Sequence, residues 1–169
     1  NQSLDNVRWP AGLQSLTFSM KSIISLHDGG FGRFNQRLDN VTWPAGLQSL
    51  SFGGSWLEYV EFNQSLDNVT WPAGLQSLSF KGDFNQRLDN VTWPAGLQSL
   101  TFGREFSHSL ENVPWPEGLQ SLTFGYSFNQ SLESVTWPEG LQSLTFGYLF
   151  NQRLDNVTWP AGLQSLTFV

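Results

Sequence analysis

Three kinds of residue recur at fixed intervals in this chain and could do chemistry. Carboxylates stand at Asp5, Asp39, Asp67, Asp89, Glu111, Glu133 and Asp155. Side-chain amides form two series, one at Asn35, Asn63, Asn85, Asn129 and Asn151, the other at Asn6, Asn40, Asn68, Asn90, Asn112 and Asn156. Indoles stand at Trp9, Trp43, Trp71, Trp93, Trp115, Trp137 and Trp159, each followed by Pro. Carboxylates stacked about 5 Å apart would either repel or hold a divalent cation through oxygen ligands. Capping turns and facing water is the plainer role for them, with Arg37, Arg87 and Arg153 two residues upstream to relieve the repulsion. Stacked amides both donate and accept, so they suit backbone groups left over in buried turns. Exposed indoles would make a ladder for sugars, but alternation with Val places them on the inner side. Thr42, Thr70, Thr92, Thr136 and Thr158 then face outward.

Signatures of catalysis are missing. His27 and His108 lie in unlike contexts, and there is no nucleophile elbow, phosphate loop or zinc spacing. Gly29-Gly30-Phe31-Gly32 lacks a strand-to-helix context and reads as loop. The absence of Cys excludes disulfides, thiolate metal sites and a Cys nucleophile. No enzyme activity, metal or cofactor is expected.

The elements that position these residues follow from the spacing. Successive Trp-Pro pairs are 34, 28, 22, 22, 22 and 22 residues apart. The unit is therefore 22 residues, and a fixed period of this size signals a solenoid. Phe34–Leu50, Phe84–Leu100 and Phe150–Leu166 are identical. Within a unit, Val-x-Trp and Leu-x-Phe alternate with period two, the mark of strands with one buried face. Pro and Gly in every unit stop helices. One unit cannot bury seven apolar side chains alone, but stacked units can. The expectation is a β-rich, right-handed, leucine-rich-repeat-like solenoid of about seven coils, about 4.8 Å apart, filling 1–169 as one domain. A short strand is expected at Leu-x-Phe and a second extended stretch near Val-x-Trp. Like residues then stack in columns, such as Leu50, Leu78, Leu100 and Phe52, Phe80, Phe102.

The phrase Leu-x-x-Leu-x-Phe-Gly-x-x-Phe-Asn-Gln, as in Leu119–Gln130, resembles the FNIP repeat of protist proteins, a 22-residue variant of the leucine-rich repeat. Phe-Asn-Gln recurs at Phe34, Phe62, Phe84, Phe128 and Phe150. Where family members often read Gln-Pro next, this chain reads Gln-Ser or Gln-Arg and continues to Leu-Asp-Asn-Val-x-Trp-Pro. The resemblance implies a binding or scaffolding array and carries no catalytic residues.

Function on a solenoid concentrates where the unit deviates. Two insertions, 19–33 and 53–61, fall at one phase, after the strand Phe, so they should emerge side by side. The first offers Met20, Ile23, Ile24, Leu26 and Phe31, and the second Trp56, Leu57, Tyr59 and Val60. Later copies place Tyr126, Tyr148 and Leu149 at the same phase. Together they read as an apolar, aromatic edge of the kind that anchors protein partners. Folding over the core as a cap is the alternative for the same loops.

Charge is sparse, at 13%, and the net value is −6. That disfavours nucleic acid, which requires a basic surface. No run is apolar enough for a membrane helix. Seven Asn-x-Ser/Thr sequons raise the alternative of a secreted or surface carbohydrate-binding array. They also follow automatically from repetition, and an amide stacked inside a turn could not carry a glycan. The sequence therefore favours an intracellular, non-enzymatic scaffold, a peripheral subunit of a multi-subunit complex. The chain begins in mid-repeat, so a longer chain or a partner is expected to cover its ends.

Overall fold

A computed structural model describes residues 3–19, 34–53 and 62–169. Seven short strands run through it: β1 (Ser15–Phe18), β2 (Ser49–Phe52), β3 (Ser77–Phe80), β4 (Ser99–Phe102), β5 (Ser121–Thr123), β6 (Ser143–Phe146) and β7 (Ser165–Phe168). They form one parallel sheet in sequence order. The register pairs like with like, Ser on Ser, Leu on Leu and Phe on Phe, as in Leu78↔Leu100 and Phe80↔Phe102. The described residues contain no helix. Each coil thus adds one strand to an open sheet, and the LRR-like solenoid expected from the period is what the chain forms.

Alternation explains the core. In β2, β3, β4 and β6 the Leu and Phe positions are buried and the Ser/Thr positions only partly so. The Phe of each strand stacks on its counterpart in the next coil, and the Phe that opens the next coil slots in at 4.2–4.4 Å. Leu38, Leu66, Leu88, Leu110 and Leu132 fill the middle, with no polar or charged residue buried among the described residues.

Two turns define the rest of each coil. Leu-Asp-Asn-Val closes with a Val N–H donating to the Leu carbonyl, as from Val91 to Leu88 at 3.2 Å. Pro-x-Gly-Leu closes with the Leu N–H on the Pro carbonyl, at 3.1 Å in all seven coils. Only the short Val-x-Trp-Pro run lies between them. It alternates as expected, with Val91 and Trp93 buried and Thr92 exposed, but pairs into no strand. Proline removes a donor at its end. Stacked Trp centroids are 6.3–6.4 Å apart, against 5.3–6.1 Å for the strand Phe column. The coils fan open away from the sheet.

Candidate interaction surface

The turn that follows each strand carries the deviations of the repeat. In coils five and six it reads Gly125-Tyr126-Ser127-Phe128 and Gly147-Tyr148-Leu149-Phe150. Each is a tight turn, the last Phe N–H reaching the Gly carbonyl at 3.5 and 3.1 Å. The glycines are required by close approach. A Cβ on Gly125 would fall on the carbonyl of Gly103, and one on Gly147 on the carbonyl of Gly125. Successive turns are also tied together, Leu149 N–H to the Tyr126 carbonyl at 3.0 Å and Ser127 N–H to the Arg104 carbonyl at 2.9 Å.

This scaffold puts Tyr126 and Tyr148 in one stack, 5.4 Å between centroids and 7° between planes. The Arg104 guanidinium lies 5.6 Å from the Tyr126 ring centroid, a cation–π contact, and also pairs with Glu105. The column stays open to solvent: Tyr126 is 45% exposed, Tyr148 69% and Leu149 43%. These three sequence-derived residues are therefore brought together on one edge. The other nine, Met20, Ile23, Ile24, Leu26, Phe31, Trp56, Leu57, Tyr59 and Val60, lie outside the described residues. The bases of both insertions are described, and they are closed. Phe18 and Phe34 stack at 4.4 Å and Phe52 and Phe62 at 4.3 Å, the spacing found across the uninterrupted turns. The described coil on either side of these twelve and six extra residues keeps the geometry of an uninterrupted one.

The polar columns are structural. Asn63 Oδ1 accepts from Asn85 N–H at 2.9 Å, Asn85 Oδ1 from Ser107 N–H at 3.0 Å, and Asn129 Oδ1 from Asn151 N–H at 2.9 Å. Gln86 and Gln152 add a second donor to the same oxygens, a role that sequence reasoning missed. His108 replaces this Gln in coil five, with Nε2 3.0 Å from the Asn85 carbonyl. The second Asn series also sits in a turn, without the coil-to-coil ladder of the first. It occupies the second central position of the Leu-Asp-Asn-Val turn, where Asn112 takes a φ of 61° and Asn is among the residues that tolerate this conformation.

The acids cap that same turn in two ways. Where Ser precedes by two, its hydroxyl accepts the acid's N–H, as Ser65 does from Asp67 at 3.2 Å. Where Arg precedes, it pairs with the carboxylate: Arg87 bonds Asp89 through Nε and Nη2, both at 3.1 Å. The hydrogen bond from Arg87 holds the Asp89 carboxyl below the usual carboxylate range. No group of three or more His, Asp or Glu among the described residues could hold a metal ion. The indoles of Trp43, Trp71, Trp93 and Trp137 are buried, their N–H groups lacking a hydrogen-bond partner. A shallow groove of about 480 Å³ runs beside Trp93 and Trp115, but the indole faces offer no exposed ladder for sugar rings. No described helix is long and apolar enough to cross a membrane.

The FNIP repeat model matches residues 62–105, 84–127, 106–149 and 128–169 in overlapping pairs of coils. The chain belongs to the FNIP repeat family. Among solved structures it is similar to CroV588, described as a novel circular LRR protein, with 38% identity and a TM-score of 0.73. That likeness covers 98% of this chain and 21% of CroV588, so the chain spans about a fifth of that protein's length. No curated protein matches. The chain is a repeat protein of leucine-rich-repeat type.

Proposed function

We propose that this FNIP array is a non-enzymatic protein-interaction scaffold, an architectural subunit of a larger assembly, that docks through the edge where its insertions emerge. The observation that carries the reading is the closed base of both insertions. Phe18–Phe34 and Phe52–Phe62 keep the geometry of an uninterrupted turn, so the array does not need the extra apolar residues to complete its coils. Tyr126, Tyr148 and Leu149 extend the same edge with exposed aromatic and aliphatic surface, the composition of interface anchors. Protein is the favoured partner, since eight Lys and Arg in 169 residues give no basic face for nucleic acid.

The curvature supports an architectural role. Because the Trp stack is more widely spaced than the strand Phe stack, each coil is a shallow wedge and the array curves. CroV588, to which the whole chain is similar, is circular.

The test is the mass of the native particle, purified from its source without denaturant and crosslinked. The reading expects a complex much larger than the chain, with crosslinks to residues 19–33, 53–61 and the Tyr126–Leu149 edge. Crosslinks confined to the Pro-x-Gly turns or the Ser/Thr face of the sheet would overturn the choice of edge.

A further inference from the structure

One inner coil departs from the repeat on its Trp-Pro side, apart from the insertion edge. Where the unit reads Val-Thr-Trp-Pro-Ala-Gly, coil five reads Val113-Pro114-Trp115-Pro116-Glu117-Gly118. Proline fixes φ at about −65° and removes the N–H. Here the run bends. The Trp115 N–H turns back onto the Val113 carbonyl at 2.9 Å, a three-residue closure found in no other described coil.

The bend opens the indole column at one place. Trp43, Trp71, Trp93 and Trp137 are buried, whereas Trp115, with coils on both sides, is only half-buried. Its ring still stacks on Trp93, 6.4 Å between centroids and 12° between planes. The groove beside it is enlarged. Between coils three and four the space along Trp71 and Thr92 is about 330 Å³. Between coils four and five it is about 480 Å³ and reaches on to Ala95 and Glu117. Val91, Ala95 and Pro114 supply apolar walls, and no Lys or Arg lines it. Asp89 on the rim is already taken by Arg87. The exposed Glu117 carboxylate has no ion pair or hydrogen bond among the described residues.

An indole face and one unpaired carboxylate in an apolar groove suit a flat cation. A guanidinium stacks on indole and donates two parallel hydrogen bonds to a carboxylate, which the point charge of a lysine ammonium does not match. The net charge of −6 draws a basic segment toward the chain. We propose that the groove between coils four and five is a docking site for an arginine side chain of a protein partner, its guanidinium stacked on Trp115 and paired with Glu117. The site lies apart from the insertion edge, and neither reading depends on the other.

An NMR titration of the whole chain with N-acetyl-arginine methylamide tests this through the indole N–H signals, that of Trp115 being assigned with Trp115→Phe. The signals of Trp115 and Trp93 should shift and saturate, and those of Trp43 and Trp137 should stay in place. Pro114→Thr and Glu117→Ala each restore the residue that stands at that place in five other coils, so the fold is kept. Each should weaken binding by about tenfold, the loss of one charge-assisted contact. Glu139→Ala removes the same charge one coil further on and should leave binding unchanged. The lysine analogue of the probe should bind more weakly than the arginine one. No shift at Trp115 overturns the proposal. So do equal losses from Glu117→Ala and Glu139→Ala, which would reduce the effect to net charge, and so does a lysine analogue that binds as well.

Discussion

Each coil has one turn that never changes and one that changes freely, and they lie on either side of the same strand. The turn before the strand is Pro-x-Gly-Leu in all seven coils, with a 3.1 Å closing hydrogen bond each time. Its next residue, Gln, donates its N–H to the Gln carbonyl of the preceding coil at 2.8–2.9 Å. The turn after the strand holds three residues in four places, nine in one and fifteen in another. The upstream turn delivers the chain to the sheet, and a slip of one residue there would turn Leu and Phe outward along the strand. The downstream turn leaves after pairing is complete. It needs only to bring one Phe back onto another, which Phe18–Phe34 and Phe124–Phe128 do alike, at 4.4 and 4.2 Å. Register is thus fixed upstream, and variation is tolerated downstream.

The largest effect should come from breaking what the constant turn delivers. Leu100 is fully buried between Leu78 and Leu122. Leu100→Asp would place a charge there without a partner, at a cost of about 3–5 kcal/mol. Chemical denaturation should show loss of at least the neighbouring coils, since nearest-neighbour interfaces carry the stability of a solenoid.

The variable turn should behave in the opposite way. Replacing Ile24 and Trp56 together with Asp should abolish partner binding and leave the melting temperature within about 2 °C, the range of a surface change. A large drop in melting temperature would instead make the insertions a cap on the core. An intermediate effect is expected at Asn63, whose side-chain oxygen serves both Asn85 N–H and Gln86 Nε2. Asn63→Ala leaves two partly buried donors without an acceptor, at a cost of about 1 kcal/mol, measurable as a shift in the denaturation midpoint.

Much of this contrast was legible in the sequence, and the reasons are local. The 22-residue period, the Leu-x-Phe strands, the Asn35 series and the phase of the insertions all follow from identities that repeat in register. The inward Val and Trp of Val-x-Trp were legible too, but period-two alternation looks the same whether or not a run pairs into a ladder. Only the fold in three dimensions tells the two apart. The two Asn series were both legible as turn residues, but both repeat every 22 residues, and nothing in the spacing tells which one forms the ladder. The Ser65 hydroxyl and the Arg87 guanidinium serving one purpose could have been read from their shared place before Leu-Asp, had the alternation of Ser and Arg been followed. The unpartnered indole N–H groups have no sequence signal, since they depend on ring orientation in the stack.

The smallest effect expected lies on the turn that the acids cap. Asp89 is held below the usual carboxylate range chiefly by its hydrogen bond from Arg87, and Arg87 is raised by the same bond. A carboxylate with a lowered folded-state value contributes stability that is fully present above about pH 4, the ordinary range, and is lost as pH falls through the lower folded value. Both side chains keep contact with water, at 77% and 30% exposure, so screening keeps the contribution small. Arg87→Ala should therefore lower the melting temperature slightly at pH 7, and the gap to the unmodified protein should close as the solution is acidified below the ordinary carboxylate range. The Arg37–Asp39 and Arg153–Asp155 pairs are present in both proteins and cancel from the difference. A gap that persists at pH 2 would show that Arg87 acts by packing its stem against the turn and not by its charge.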